Sequence, residues 1–342
     1  MTTSPRRRRR TAAALAVSTV LLAGCGGGPS DEPGGGRSNS EITLGLVAYA
    51  VAEPGWNKII PAFAATPAGE GIDVTASYGA SADQSRSVAD GKPADLVNFS
   101  VEPDITRLVK AGKVAQDWNA GVTKGIPFGS VVSLVVRKGN PRGIRDWDDL
   151  LRPDVEVVTP SPLSSGSAKW NLLAPYAAKS DGGRDRQAGL DFIDRLVGEH
   201  VRTRPGSARE AADIFLQGTG DVLISYENEA IHIERLGKPV ERVIPPQTFK
   251  IENPVAVVTT TTHLDKATAL KNFLVTPEAQ KIWAQSGFRP VDPAVNAEFA
   301  AEFPNPARLW TIADLGGWET VDAALFDKEN GVITMIYRRA TG

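Results

Sequence analysis

The sequence predicts an α/β body of two lobes, on three observations. From about residue 41 to 337, short apolar strands alternate with segments of helical spacing almost without interruption. That body is close to 300 residues long, with 42% apolar residues overall, enough for two sizeable cores. Nothing in it has the composition of a linker between independent domains, so the chain is expected to pass between the lobes more than once.

Taken in order, residues 42–50 read as a strand and 56–65 as a helix. Residues 72–78 form a second strand, and a turn of small residues leads into a helix that stops at Gly91. Residues 94–100 are a buried strand, and Pro103 opens a helix closed by Gly112. Strand–helix–strand at this spacing implies right-handed crossovers and a mostly parallel sheet. Residues 131–137 are a long apolar strand that turns at Gly139-Asn140-Pro141. Asp146, Asp148 and Asp149 then read as carboxylates beside a helix start, where the dipole favours them, and not as a catalytic pair. Strands at 155–159, 221–225 and 255–259 alternate with helices at 167–178, 186–197, 208–217 and 227–236. Helices at 265–274 and 277–285 and a proline-rich tail end the chain, with Trp283, Trp310 and Trp318 expected in the core.

The N-terminus sets the compartment. Five arginines at 6–10 precede an apolar stretch, 12–23, which is too short to span a bilayer, and then Leu22-Ala23-Gly24-Cys25. This is an export signal, and its last four residues resemble the lipobox of bacterial lipoproteins, with Cys25 as the lipidated residue. An ordinary cleavage nearby, with Cys25 incidental, is the other reading, and the export route, general or twin-arginine, stays open. Cys25 is the sole cysteine, which excludes disulfides and thiol chemistry from the body. Residues 26–40 (GGGPSDEPGGGRSNS) cannot bury a core and read as a flexible tether. Without the signal arginines, 33 Lys and Arg face 40 Asp and Glu, a net of about −7, and this argues against nucleic acid.

Three turns share one design: a strand or loop, small hydroxyl and glycine residues, then a helix start. They are 77–84 (SYGASADQ), 159–167 (TPSPLSSGS) and 205–210 (PGSARE), with capping-box spacing at Ser81/Gln84 and Ser207/Glu210. A helix start leaves about four N–H groups unpartnered and carries roughly half a positive charge, so it can hold an anion without a charged side chain. The same residues also cap helices in any α/β protein. His200, His232 and His263 lie far apart without metal-ligand spacing, and no Gly-x-Ser-x-Gly elbow, Walker loop or dinucleotide fingerprint occurs.

Longer stretches carry a resemblance. Residues 135–150 (VVRKGNPRGIRDWDDL), 159–171 (TPSPLSSGSAKWN), 220–230 (GDVLISYENEA), 288–290 (FRP), Thr311-Ile312 and 316–318 (GGW) look like stretches of the bacterial sulfate/thiosulfate-binding proteins, in order and with few gaps. The resemblance implies a two-lobed periplasmic-binding-protein fold of type II topology, with the ligand between lobes at 41–127 plus 255–342 and at 128–254. It implies a monomeric receptor, not an enzyme, that needs no cofactor or metal and passes sulfate or thiosulfate to the membrane subunits of an ABC-type transporter. The family holds the ionised anion with backbone N–H groups and neutral donors. By match, these are Ser81, Ser165, Gly166, Ser167 and, within one residue, Ser207. Two positions depart from the family: Ala50 stands in its Tyr-Asp-Pro turn, where a backbone N–H still serves, and Tyr226 replaces its donating tryptophan.

A site lined by donors disfavours phosphate, whose remaining proton would meet no acceptor at a cost of about 1–3 kcal/mol, and none of the three turns offers a well-placed carboxylate. Other readings are a receptor for molybdate or tungstate, an envelope sulfo- or phosphoester hydrolase, and a scaffold that has lost its ligand.

Overall fold

The computed structural model describes residues 42–340; the signal, Cys25 and the tether lie outside them. Strand β1 (Ile42–Tyr49) is followed by helix α1 (Glu53–Ala64), β2 (Ile72–Gly79), α2 (Ser81–Ala89), β3 (Leu96–Asn98) and α3 (Glu102–Lys110). β1 lies between β2 and β3 and runs parallel to both, as helical crossovers require. Its inward residues Leu44, Leu46 and Ala48 are fully buried.

After Pro127 the chain enters a second sheet through β4 (Phe128–Arg137), buried along nearly its whole length, as expected of a central strand. There follow β5 (Val157–Val158), α4 (Gly166–Lys179), α5 (Arg186–Arg195), β6 (Val201–Thr203), α6 (Ala208–Leu216), β7 (Val222–Tyr226), α7 (Glu227–Arg235), β8 (Val240–Val243) and β9 (Gln247–Asn253). β10 (Val255–Val257) then returns to the first sheet beside β3. The remaining elements are α8 (Leu264–Phe273), α9 (Pro277–Gln285), β11 (Arg289–Pro290), α10 (Pro293–Glu298), β12 (Arg308–Trp310), α11 (Gly317–Val321) and α12 (Val332–Arg339).

The mostly parallel sheet expected from the sequence holds for β1–β3 and for β5, β6 and β7, but not around β4. β4 pairs antiparallel with β7, β8 and β9. The cause is the crossing. β4 leads the chain into the larger sheet and β9 leads it out, so the two neighbours must run in opposite directions, with Phe128 opposite Asn253. The last segment divides between the sheets: α8 packs near β10, whereas β12 pairs with β9.

Trp283 of α9 packs where the sheets meet. It stacks on Phe128 at 3.8 Å and meets Trp56 of α1 edge-on at 5.5 Å. A side chain at Gly55 would come within 2.3 Å of that indole, which explains a glycine in the first turn of α1. Trp310 and Trp318 are also buried. The expected helix start at Asp146 is a 3-10 turn, Trp147–Leu151, closed by a reciprocal capping box between Asp146 and Asp149.

Candidate anion-binding site

Parallel strands end together, and their C-terminal edge is where an α/β sheet exposes loops and helix starts. In the smaller sheet Tyr49 pairs with Gly79 and Ala48 with Asn98, so Ala50, Ser81 and Ser100 follow the same edge. In the larger sheet Val158 pairs with Leu223, so the turn before α4 and Tyr226 share an edge. The two edges meet. The Ala82 N–H donates to the Ser164 carbonyl at 3.3 Å, and Ser100 Oγ lies 3.1 Å from Ser167 Oγ.

At α2 the cap residue is Ala80, not Ser81, and no side chain caps the helix. The capping box expected from Ser81 and Gln84 does not form, because the helix begins one residue earlier. Gln84 instead donates from Nε2 to Ser77 Oγ at 3.2 Å. The buried Ser81 hydroxyl donates to Asp104 Oδ2 at 2.6 Å and accepts the Ser100 N–H at 3.0 Å.

At α4 Ser165 is the cap residue by backbone, yet its side chain makes no cap bond. Ser165, Gly166 and Ser167 are all buried. At N1 and N2, Gly166 and Ser167 have N–H groups without an intrahelical acceptor. A Cβ on Gly166 would lie 2.8 Å from Ser100 Cβ and 3.2 Å from Asp104 Oδ2. The close approach of α4 to the smaller sheet therefore depends on this glycine.

The α6 start lies beside the same turn: Ser164 Oγ donates to the Gly206 carbonyl at 2.7 Å, and the Ser161 N–H to the Pro205 carbonyl at 2.8 Å. Here the expected cap does form. Ser207 Oγ accepts the Glu210 N–H at 3.1 Å, while Glu210 Oε2 accepts from the Gly206 N–H at 2.7 Å.

Tyr226 ends β7 fully buried and donates to Ser100 Oγ at 3.4 Å. Burial pushes its phenol well above the ordinary range, so it is a neutral donor at every physiological pH. The residues after it pin the position: Glu227 pairs with Arg289 at 2.6 Å, the Asn228 N–H donates to Ser130 Oγ at 3.3 Å, and Glu229 pairs with Arg209 at 2.7 Å. Ala50 opens the 3-10 turn Ala50–Ala52 directly after β1, half-buried.

The three turns themselves offer the site no carboxylate, but one reaches it from a neighbouring helix. Asp104, on the first turn of α3, is 2% exposed and reaches the site from outside the three turns. Its Oδ2 holds Ser81, and its Oδ1 pairs with Arg107 at 2.9 Å. Ser100, Trp170 and Asn253 are further residues that the sequence reading missed. Trp170 Nε1 and Asn253 Nδ2 donate to the Ser100 carbonyl at 2.7 and 3.3 Å. A cavity of about 780 Å³, lined by Glu102, Lys124, Lys250, Arg289 and Trp318 among others, flanks the crossing strands.

Two α/β halves joined by adjacent crossing strands, with helix starts meeting between them, make the two-lobed fold seen in periplasmic binding proteins. The chain belongs to the bacterial extracellular solute-binding proteins, whose family profile matches residues 46–289. It is 40% identical over 302 residues to a sulfate-binding protein of Synechococcus elongatus, covering 85% of each chain. It is 33% identical over 315 residues to a thiosulfate-binding protein of Pseudomonas aeruginosa, covering 89% of this chain and 94% of that one. The solved structure of the sulfate-binding protein SubI from Mycobacterium tuberculosis is 74% identical, with a TM-score of 0.83, over 84% of this chain and all of that one. The periplasmic binding protein AfuA from Actinobacillus pleuropneumoniae, at 14% identity and a TM-score of 0.61, shares the fold over 88% of this chain and 98% of that one.

Proposed function

We propose that this chain is an extracytoplasmic receptor that captures sulfate or thiosulfate between its lobes and delivers it to the membrane subunits of an ABC-type uptake transporter. The observation that carries this reading is the meeting of the uncapped starts of α2 and α4 around buried hydroxyls. Such a place offers backbone N–H groups and dipole ends to an anion without a buried counter-cation. The names of the relatives favour sulfate among the oxyanions.

In this reading the N–H groups of Gly166 and Ser167, those opening α2 at Ser81 and α6 after Ser207, and that of Ala50 surround the anion. Ser165 and Ser167 add hydroxyl donors, and Tyr226, whose proton goes to Ser100 Oγ, borders the site. Ser81 serves through its backbone, because its proton is held by Asp104. One lobe comprises residues 41–127 with the segment from 255 through α9, the other 128–254 with β12 and α12. Lipid on Cys25 and the tether 26–40 hold the body at the outer face of the membrane. No helix among the described residues is long and apolar enough to cross a membrane.

Calorimetric titration of protein freed of bound anion by unfolding and refolding tests the reading. One-to-one binding of sulfate, with phosphate silent, is the expected result. Heat with molybdate alone would move the ligand, and silence toward sulfate, thiosulfate, molybdate and phosphate would overturn the oxyanion assignment.

A further inference from the structure

Ser100 belongs to none of the motifs that point to the site, yet the site's contacts run through it. It follows β3 and is fully buried. Its N–H donates to Ser81 Oγ at 3.0 Å, within the smaller-sheet half. Its carbonyl accepts from Trp170 Nε1 at 2.7 Å and from Asn253 Nδ2 at 3.3 Å. Its hydroxyl lies 3.1 Å from Ser167 Oγ and accepts from Tyr226 at 3.4 Å. Ser167, Trp170, Tyr226 and Asn253 all come from α4, β7 and β9 of the larger-sheet half.

A serine hydroxyl has one proton and two acceptor positions. With Tyr226 donating to it, Ser100 Oγ can send its own proton to Ser167 Oγ. Ser167, once it has accepted, keeps a proton to give away, and it stands on the first turn of α4 among the N–H groups without intrahelical acceptors. Ser81 is in the opposite condition. Its proton goes to Asp104, and its oxygen accepts from Ser100.

We propose that Ser100 is a positioning residue of the anion site: accepting from Tyr226 and donating to Ser167, it turns the Ser167 hydroxyl proton toward the bound oxyanion. Its backbone meanwhile ties the two halves together beside that anion. The assignment rests on the oxyanion reading above.

The test is a double-mutant cycle on sulfate binding with Ser100→Ala, Ser167→Ala and the pair together, read by calorimetry and stopped-flow dissociation. Thermal unfolding in sulfate-free buffer accompanies each variant. Ser167→Ala removes a hydrogen bond to a charged group and should weaken binding roughly ten- to a hundredfold. Ser100→Ala should weaken it by about fivefold to tenfold, mainly through faster release, and the double variant should be no weaker than Ser167→Ala within about twofold. Ser100→Cys keeps the shape with a poor donor and should behave like Ser100→Ala. Losses that add, or a Ser100→Ala variant that melts lower but binds and releases sulfate like the wild type, would overturn the assignment. Wild-type protein silent toward sulfate but binding thiosulfate or molybdate would instead move the ligand, and the same cycle run with that anion decides the role of Ser100. Silence toward every oxyanion removes both readings.

Discussion

The starts of α4 and α6 are built from the same residue types, and the fold uses them in opposite ways. At α6 the Ser207 hydroxyl accepts from Glu210 and the Glu210 carboxylate accepts from Gly206, so the turn satisfies itself. At α4 Ser165 makes no cap bond, and the Ser167 hydroxyl is turned across to Ser100. A start that caps itself has spent one of its N–H groups locally, while an uncapped one keeps all of them for a ligand or a neighbour. α2 goes with α4, since its Ser81 hydroxyl is spent on Asp104 and no side chain caps it. In this molecule, then, the Ser-x-x-Glu pattern marks the less available start.

Crowding each turn with a methyl group separates the two starts most strongly. On Gly166 a methyl group would meet Ser100 Cβ at 2.8 Å and Val101 Cγ2 at 3.1 Å, both in the smaller-sheet half. Overpacking of this kind costs about 1–3 kcal/mol. Gly166→Ala should therefore weaken sulfate binding by roughly ten- to a hundredfold in calorimetry. Gly206→Ala is the control: its Cβ meets nothing nearer than Glu210 Oε2 at 3.4 Å, so binding should stay within about twofold.

A second effect concerns Arg209 on the first turn of α6, where the dipole disfavours a cation. Its partner Glu229 is fully buried, and burial, partly offset by Arg209, raises that carboxyl from 4.5 to about 7. A raised folded-state value means that the favourable contribution is complete below about 4.5 and is lost as pH rises through about 7. Between those limits the melting temperature should fall with pH on account of this group, and Glu229→Gln should flatten that part of the profile. An unchanged slope in the variant would refute the assignment.

The smallest effect belongs to Ser207. Losing an N-cap serine costs about 1 kcal/mol of stability. Ser207→Ala should lower the melting temperature by a few degrees and leave sulfate affinity within about twofold, because the hydroxyl serves its own helix.

Features announced by local chemistry were legible in the sequence. Pro277 marks the start of α9, Asp146 to Asp149 the start of a helical turn, and Ser207 with Glu210 the α6 cap. The crossing was legible only in outline. β8 and β9 were missed because Val240–Val243 is too short to show a period, and Gln247–Asn253 buries its residues irregularly among polar ones. The helices beyond residue 293 were likewise too short to rise above a proline-rich tail. Ser81, Ser165, Gly166 and Ser167 stood out by their turn chemistry and their match to the family. Ser100 and Asp104 did not, because they arrive through the packing of β3 and α3 against α4, and no spacing along the chain records that contact. Along the chain Asp104 is only an acidic residue in the first turn of α3, where the helix dipole favours one.

In this reading a tetrahedral dianion sits between the starts of α2 and α4. Crystals grown with selenate, a sulfate-shaped anion whose selenium scatters anomalously, test it directly. The expected result is an anomalous selenium peak with the anion's oxygens about 3 Å from the Gly166 and Ser167 nitrogens and with Ser167 Oγ and Tyr226 on its border. A peak instead among Lys124, Lys250 and Arg289, in the cavity beside the crossing strands, would contradict it.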